Sequence, residues 1–143
     1  MRRLLVAATV FGALSAAAPV AADPGPSALP DAPPYVDHAQ WAQWYQGSQR
    51  TSLRIYPTAS GRVVSKRLGS SSPEVDEAWA EVLALAPQAD TPGMRDQFRC
   101  HWDFAETAQP GKTTWNLEPW RPLVDDATMV AAGCNPGGAG EPF

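Results

Sequence analysis

Gln97-Phe98-Arg99-Cys100-His101-Trp102-Asp103-Phe104 is the stretch on which the fold turns. Phe98, Cys100, Trp102 and Phe104 alternate with Gln97, Arg99, His101 and Asp103. A period of two marks a half-buried strand, so the pattern predicts a strand with Cys100 on its core face. The opposite face would carry Arg99, His101 and Asp103 in a row, about 7 Å apart at each step.

Upstream, Ser72 is placed to cap a helix. Pro73 suits its first turn, and Glu74, Asp76 and Glu77 favour the positive end of its dipole. Val75, Trp79, Val82, Leu83 and Ala86 share one face, and Pro87 with Asp90-Thr91-Pro92-Gly93 ends the helix. Earlier still, Trp41, Trp44 and Tyr45 at helical spacing predict a short helix over 38–46. Leu53 and Ile55, the turn Pro57-Thr58-Ala59-Ser60-Gly61 and then Val63-Val64 read as a β-hairpin. Downstream, a strand is expected from Thr114 to Leu117, with Pro119 and Pro122 preventing its extension. Asp125 or Asp126 can cap a last short helix, and Gly133 ends it, returning Cys134 to the sheet. The sum is an α+β domain: a small antiparallel sheet of three to five strands, two or three short helices on one face and one disulfide.

The N-terminal segment bears on where the chain folds. Arg2-Arg3 precede an uncharged apolar stretch from Leu4 to Ala18, and Val20-Ala21-Ala22 supplies the small residues of a cleavage site. This predicts a signal peptide over 1–22, because the apolar run is shorter than the roughly 20 residues of a membrane span. A flexible Pro/Ala-rich leader is expected over 23–34, a single α+β domain over 35–136 and a flexible tail over 137–143. The expected localisation is secreted or cell envelope, with no stable membrane insertion after cleavage. Removing Arg2 and Arg3 from the eleven basic residues leaves nine against fifteen acids, a formal charge of -6. That balance disfavours nucleic acid as a partner and leaves an envelope polymer or another exported protein.

With only two cysteines and an oxidising destination, a bridge between Cys100 and Cys134 is the expectation. No Cys-x-x-Cys occurs and the two histidines are not grouped with both thiols, so no metal or cofactor is expected.

Phe98-Arg99-Cys100-His101-Trp102, Trp115-Asn116-Leu117-Glu118-Pro119-Trp120-Arg121-Pro122 and Met129-Val130-Ala131-Ala132-Gly133-Cys134-Asn135-Pro136 carry a resemblance. They resemble a family of exported actinobacterial proteins known as a domain of unknown function with a Trp-Asn-Leu-Glu signature. The match runs from about Met94 to Gly137; it supports export and the cysteine pairing, and implies no activity.

Two constellations could carry function. If Trp115 and Leu117 point inward, Asn116 and Glu118 point out together, and with Trp120 and Arg121 they form a stiff rim suited to a peptide or sugar. The competing account packs Trp120 in the core and pairs Glu118 with Arg121. His101 and Asp103 on one strand face are a candidate acid/base pair, against a solvated outer face as the plain alternative. Trp41, Trp44, Trp79 and Trp102 fall on faces expected to be buried, and Arg50, Arg54, Arg62, Lys66 and Arg67 lie in a stretch without acids between Asp37 and Glu74. The leading expectation is a non-catalytic exported binding or interaction module. The alternatives are a small secreted hydrolase using His101 and a nearby carboxylate, and a secreted protease inhibitor. The last rests on a loose similarity to the subtilisin-inhibitor family, whose extra disulfide is missing here.

Overall fold

Strand β1 (Val36–Gln43) pairs antiparallel with β2 (Thr51–Pro57), and β2 pairs antiparallel with β3 (Trp115–Leu117), giving the sheet order β1-β2-β3. The computed structural model describes residues 31–44, 49–67 and 72–138; the expected signal peptide lies outside them, as do most of the leader and the last part of the tail. Among the described residues four α-helices, α1 (Ala59–Ser65), α2 (Ser72–Leu85), α3 (Pro92–Ala108) and α4 (Asp126–Ala131), and a short 3-10 helix at Pro87–Ala89 complete the fold. The α+β class, the antiparallel sheet and the single disulfide stand as read from the sequence.

The alternating stretch at 97–104 is the first correction, because it is the middle of a 17-residue helix. Thr91 is extended and Pro92 occupies the first turn, so the Asp90-Thr91-Pro92-Gly93 stretch that looked like a turn contains a helix start. Met94, Gln97, Phe98, His101, Trp102 and Ala105 then fall at helical spacing and are all buried. Phe104, expected in the core, is 38% exposed.

The second correction concerns 38–46, where the expected helix is strand β1 as far as Gln43, its last two residues lying outside the described part. Cross-strand pairing decides: Gln40 opposes Arg54, Trp41 opposes Leu53, and a bulge falls between Val36 and His38. Trp41 is consequently an edge residue, 36% exposed rather than buried. Third, the hairpin expected over 53–64 is a strand followed by helix α1. The Thr58 hydroxyl accepts from the Gly61 amide at 2.9 Å and so starts a helix where a turn was expected. Glycine is required at 61, since a Cβ there would overlap the Tyr35 carbonyl.

Leu53, Ile55, Trp115 and Leu117 form the inner face of the sheet, each fully buried. They meet Trp79 and Val82 of α2 and Phe98 and Trp102 of α3 in one apolar cluster. The rings of Phe98, Trp102 and Trp115 lie 6.1 to 6.2 Å apart, an edge-to-face and tilted arrangement that aromatic quadrupoles favour. The carboxylate of Glu81 on α2 accepts both the Tyr35 and Val36 amides at 2.8 Å, pinning the entry of β1 to that helix. Part of the expected leader is also held: Arg67 reaches Asp31 at 2.9 Å, and the Ser60 hydroxyl donates to the Ala32 carbonyl at 2.5 Å.

Asp125 caps α4, accepting from the Thr128 amide at 2.7 Å. Gly133 and Cys134 take positive φ after it, which swings the chain back. Cys134 meets Cys100 on the flank of helix α3, where a sheet position was expected, and Met129 and Val124 pack around the bridge.

Candidate functional site

Strand β3 cannot continue past Leu117, because Pro119 lacks the amide that a ladder needs. Gln97, buried on α3, takes over the pairing. Its side-chain carbonyl accepts the Glu118 amide and its NH2 donates to the Glu118 carbonyl, both at 2.9 Å. Held in this way, the Glu118 side chain accepts from the Ser52 hydroxyl at 2.8 Å and from Arg121 Nε at 2.6 Å. Arg121 Nη1 donates to the Pro136 and Gly138 carbonyls at 3.1 and 3.3 Å.

Glu118 and Arg121 are thus a buried ion pair, their side chains 2% and 0% exposed. Neither stands on an open rim, as the outward reading of the signature had it. A carboxylate and a guanidinium removed from water must be paired and hydrogen-bonded, and the surrounding hydroxyl and carbonyl groups supply most of those bonds. The pair holds one loop rigid.

Trp120 sits at the end of that loop and is half-buried. Its indole NH donates to the Thr51 carbonyl at 3.1 Å. The Arg121 and Arg50 guanidinium carbons lie 4.5 and 4.4 Å from its ring centroid, and Trp44 meets it edge-on at 5.0 Å. Cation–π contacts of this kind favour a fixed ring orientation. Next to it a hollow opens between Trp41, Ala42, Gln43, Gln49, Arg50 and Thr51. Trp115 points inward, fully buried, and Asn116 is half-buried with its side-chain oxygen accepting from Thr114 at 2.8 Å.

The candidate acid/base pair falls on two different sides of α3. Residues two apart on a helix do not face each other. Asp103 lies on the solvent side, 3.9 Å from Arg99, its carboxyl raised by partial burial and by Asp126 against the opposing effect of Arg99. His101 is buried 3.0 Å from the Asn116 carbonyl, which Nε2 reaches as a donor in the neutral ring. Burial, with the charges of Lys112 and Arg121 behind it, pushes its pKa down to about 3 despite that hydrogen bond. Among the described residues, no cluster of His, Cys, Asp and Glu is placed to hold a metal ion, and no helix is long and apolar enough to cross a membrane.

Ser52, Gln97 and Arg50 were not singled out for this site by sequence. Gln97 alone carried a usable signal, since it shares the helical stripe of Met94 and His101.

A family described as "Protein of unknown function (DUF2599)" matches residues 36–137, from the first residue of β1 to the segment beyond the disulfide. The chain belongs to the DUF2599 family. Uncharacterised proteins of Mycobacterium tuberculosis (strain H37Rv) and Mycobacterium bovis are each 54% identical to this DUF2599 chain over 139 residues, covering 94% of it and 90% of the relative. An uncharacterised protein of Mycobacterium leprae is 48% identical over 107 residues, covering 73% of this chain and 80% of the relative. No solved structure matches it.

Proposed function

We propose that this DUF2599 chain is an exported, non-catalytic binding module that meets its ligand through the surface around Trp120. The observation that carries the reading is the clamp below that ring. A buried ion pair, a buried glutamine and the carbonyls of two later residues fix a proline-flanked loop whose outer residue is an aromatic ring. Rigidity of this kind lowers the ordering cost of binding, and an amphipathic ring beside an open hollow is a suitable anchor. Export is supported by the Cys100–Cys134 bridge, since such bonds persist in oxidising compartments, and by the basic, apolar and small-residue order of 1–22. The Trp-Asn-Leu-Glu run contributes Trp115 and Leu117 to the core and Glu118 to the clamp, which is a physical reason for a signature to sit there.

Co-sedimentation of the full chain with insoluble mycobacterial envelope material tests this reading. The wild-type chain should pellet, and Trp120→Ala should weaken association at least tenfold while keeping the native circular dichroism spectrum. Equal pelleting of both forms, or no pelleting of either, overturns it.

A further inference from the structure

Strand pairing sets the outer face of the sheet in rows. His38 and Tyr56 form the first, their rings stacked 3.9 Å apart at 15°. The second runs across all three strands as Gln40, Arg54 and Asn116. Ala42 and Ser52 form a third row of small side chains. Trp44, Arg50 and Trp120 close the far end. This face therefore carries aromatic rings at both ends and an exposed guanidinium in the middle, with Ser52 buried beneath Glu118.

Arg54 stands apart from the other arginines among the described residues. Arg62, Arg67, Arg95, Arg99 and Arg121 each have a carboxylate within ion-pair distance, and Arg50 lies over Trp120. Exposed Arg54 has no such partner among the described residues. No acid occurs in the chain between Asp37 and Glu74, and Asp37 holds His38 Nδ1 at 2.5 Å from the bulge. Arg50 and Arg54 are four residues apart on one face, roughly 13 Å along the strand.

From this arrangement we infer that the outer sheet face binds a linear polysaccharide bearing carboxylates, with Arg54 as the central anion contact; the inference rests on the binding reading above and names its ligand class. A guanidinium presents a planar fork that matches a carboxylate, and amides at Gln40 and Asn116 flank it in register. The rings at the two ends are already packed, Trp120 by Arg50, Arg121 and Trp44 and Tyr56 by His38, so their outward amphipathic edges are what a sugar chain would meet. The whole chain carries a formal charge of -4, which repels a dense polyanion such as nucleic acid but leaves a local cation effective for a sparsely charged one at short range.

Isothermal titration of the full, oxidised chain with a size-defined oligogalacturonate, beside a neutral oligosaccharide of the same length, tests it. The uronate should bind and the neutral chain should bind at least tenfold more weakly. Arg54→Ala should lose tenfold or more of the uronate affinity without a change in melting temperature, and Arg54→Lys should recover part of it. Unchanged uronate binding by Arg54→Ala, or equal binding of the two oligosaccharides, overturns the inference. Trp120-dependent pelleting with envelope material in the absence of uronate binding overturns the ligand class alone; loss of both overturns the binding reading as well.

Discussion

Burial of His101 in its neutral form makes stability depend on pH in a window where few other groups titrate. An unfolded chain exposes the imidazole with its ordinary pKa of about 6.5, whereas in the folded protein the value is about 3. Below pH 6.5 the unfolded state therefore binds a proton that the folded state refuses, and stability falls with falling pH until about pH 3. Each unit is worth about 1.4 kcal/mol once the unfolded ring is mostly protonated. Between pH 7.5 and pH 5 the protein should lose about 2 kcal/mol from this one residue. Urea denaturation at those two pH values measures the loss directly. His101→Gln keeps a donor for the Asn116 carbonyl and has nothing to titrate, so its stability should change by far less over the same interval. A wild-type stability that is flat from pH 7.5 to pH 5, or rises, would refute the placement of a neutral ring in the core.

Glu118→Ala removes one partner of a buried pair and strands the Arg121 guanidinium, so unfolding should become easier by roughly 3–5 kcal/mol. A loss below 1 kcal/mol in chemical denaturation would show that water reaches the pair. Replacing both Cys100 and Cys134 with serine opens a crosslink between positions 34 residues apart, which should cost roughly 3–4 kcal/mol of stability; denaturation with and without a thiol reductant gives the same comparison for the wild-type chain.

Helix α2, strand β3 and the Asp125 cap were legible because each carries a local signal that no neighbour overrides. Val75, Trp79 and Val82 repeat only as a helix does, and Pro119 and the N-cap leave little choice. Helix α3 was not legible, since its residues fit both periods. Phe98, Cys100, Trp102 and Phe104 alternate as in a strand, while Met94, Phe98, His101 and Trp102 repeat as in a helix. The helix wins because His101 then finds a partner on β3 and Gln97 one at Glu118 just beyond it, and because Trp102 and Phe98 reach the sheet together. In the same way Trp41 and Trp44 mimic helical spacing, but their register against Leu53 and Arg50 is fixed by long-range pairing that no local pattern contains. Of the candidate site, the tie between Glu118 and Arg121 could be weighed from spacing alone; the second and third contacts of each, to Ser52 and to the carbonyls beyond Cys134, depend on tertiary structure.

Those carbonyls have a consequence for chemistry some distance away. Pro136 and Gly138 follow Cys134 closely, so the covalent anchor on α3 also positions the acceptors that Arg121 leans on. Severing the sulfurs would untether the segment whose carbonyls accept from the Arg121 guanidinium beside the Trp120 indole. An event at a crosslink on the helical side would thus be transmitted to an aromatic surface carried by the sheet, and Trp120 fluorescence would report the redox state of a bond it does not touch.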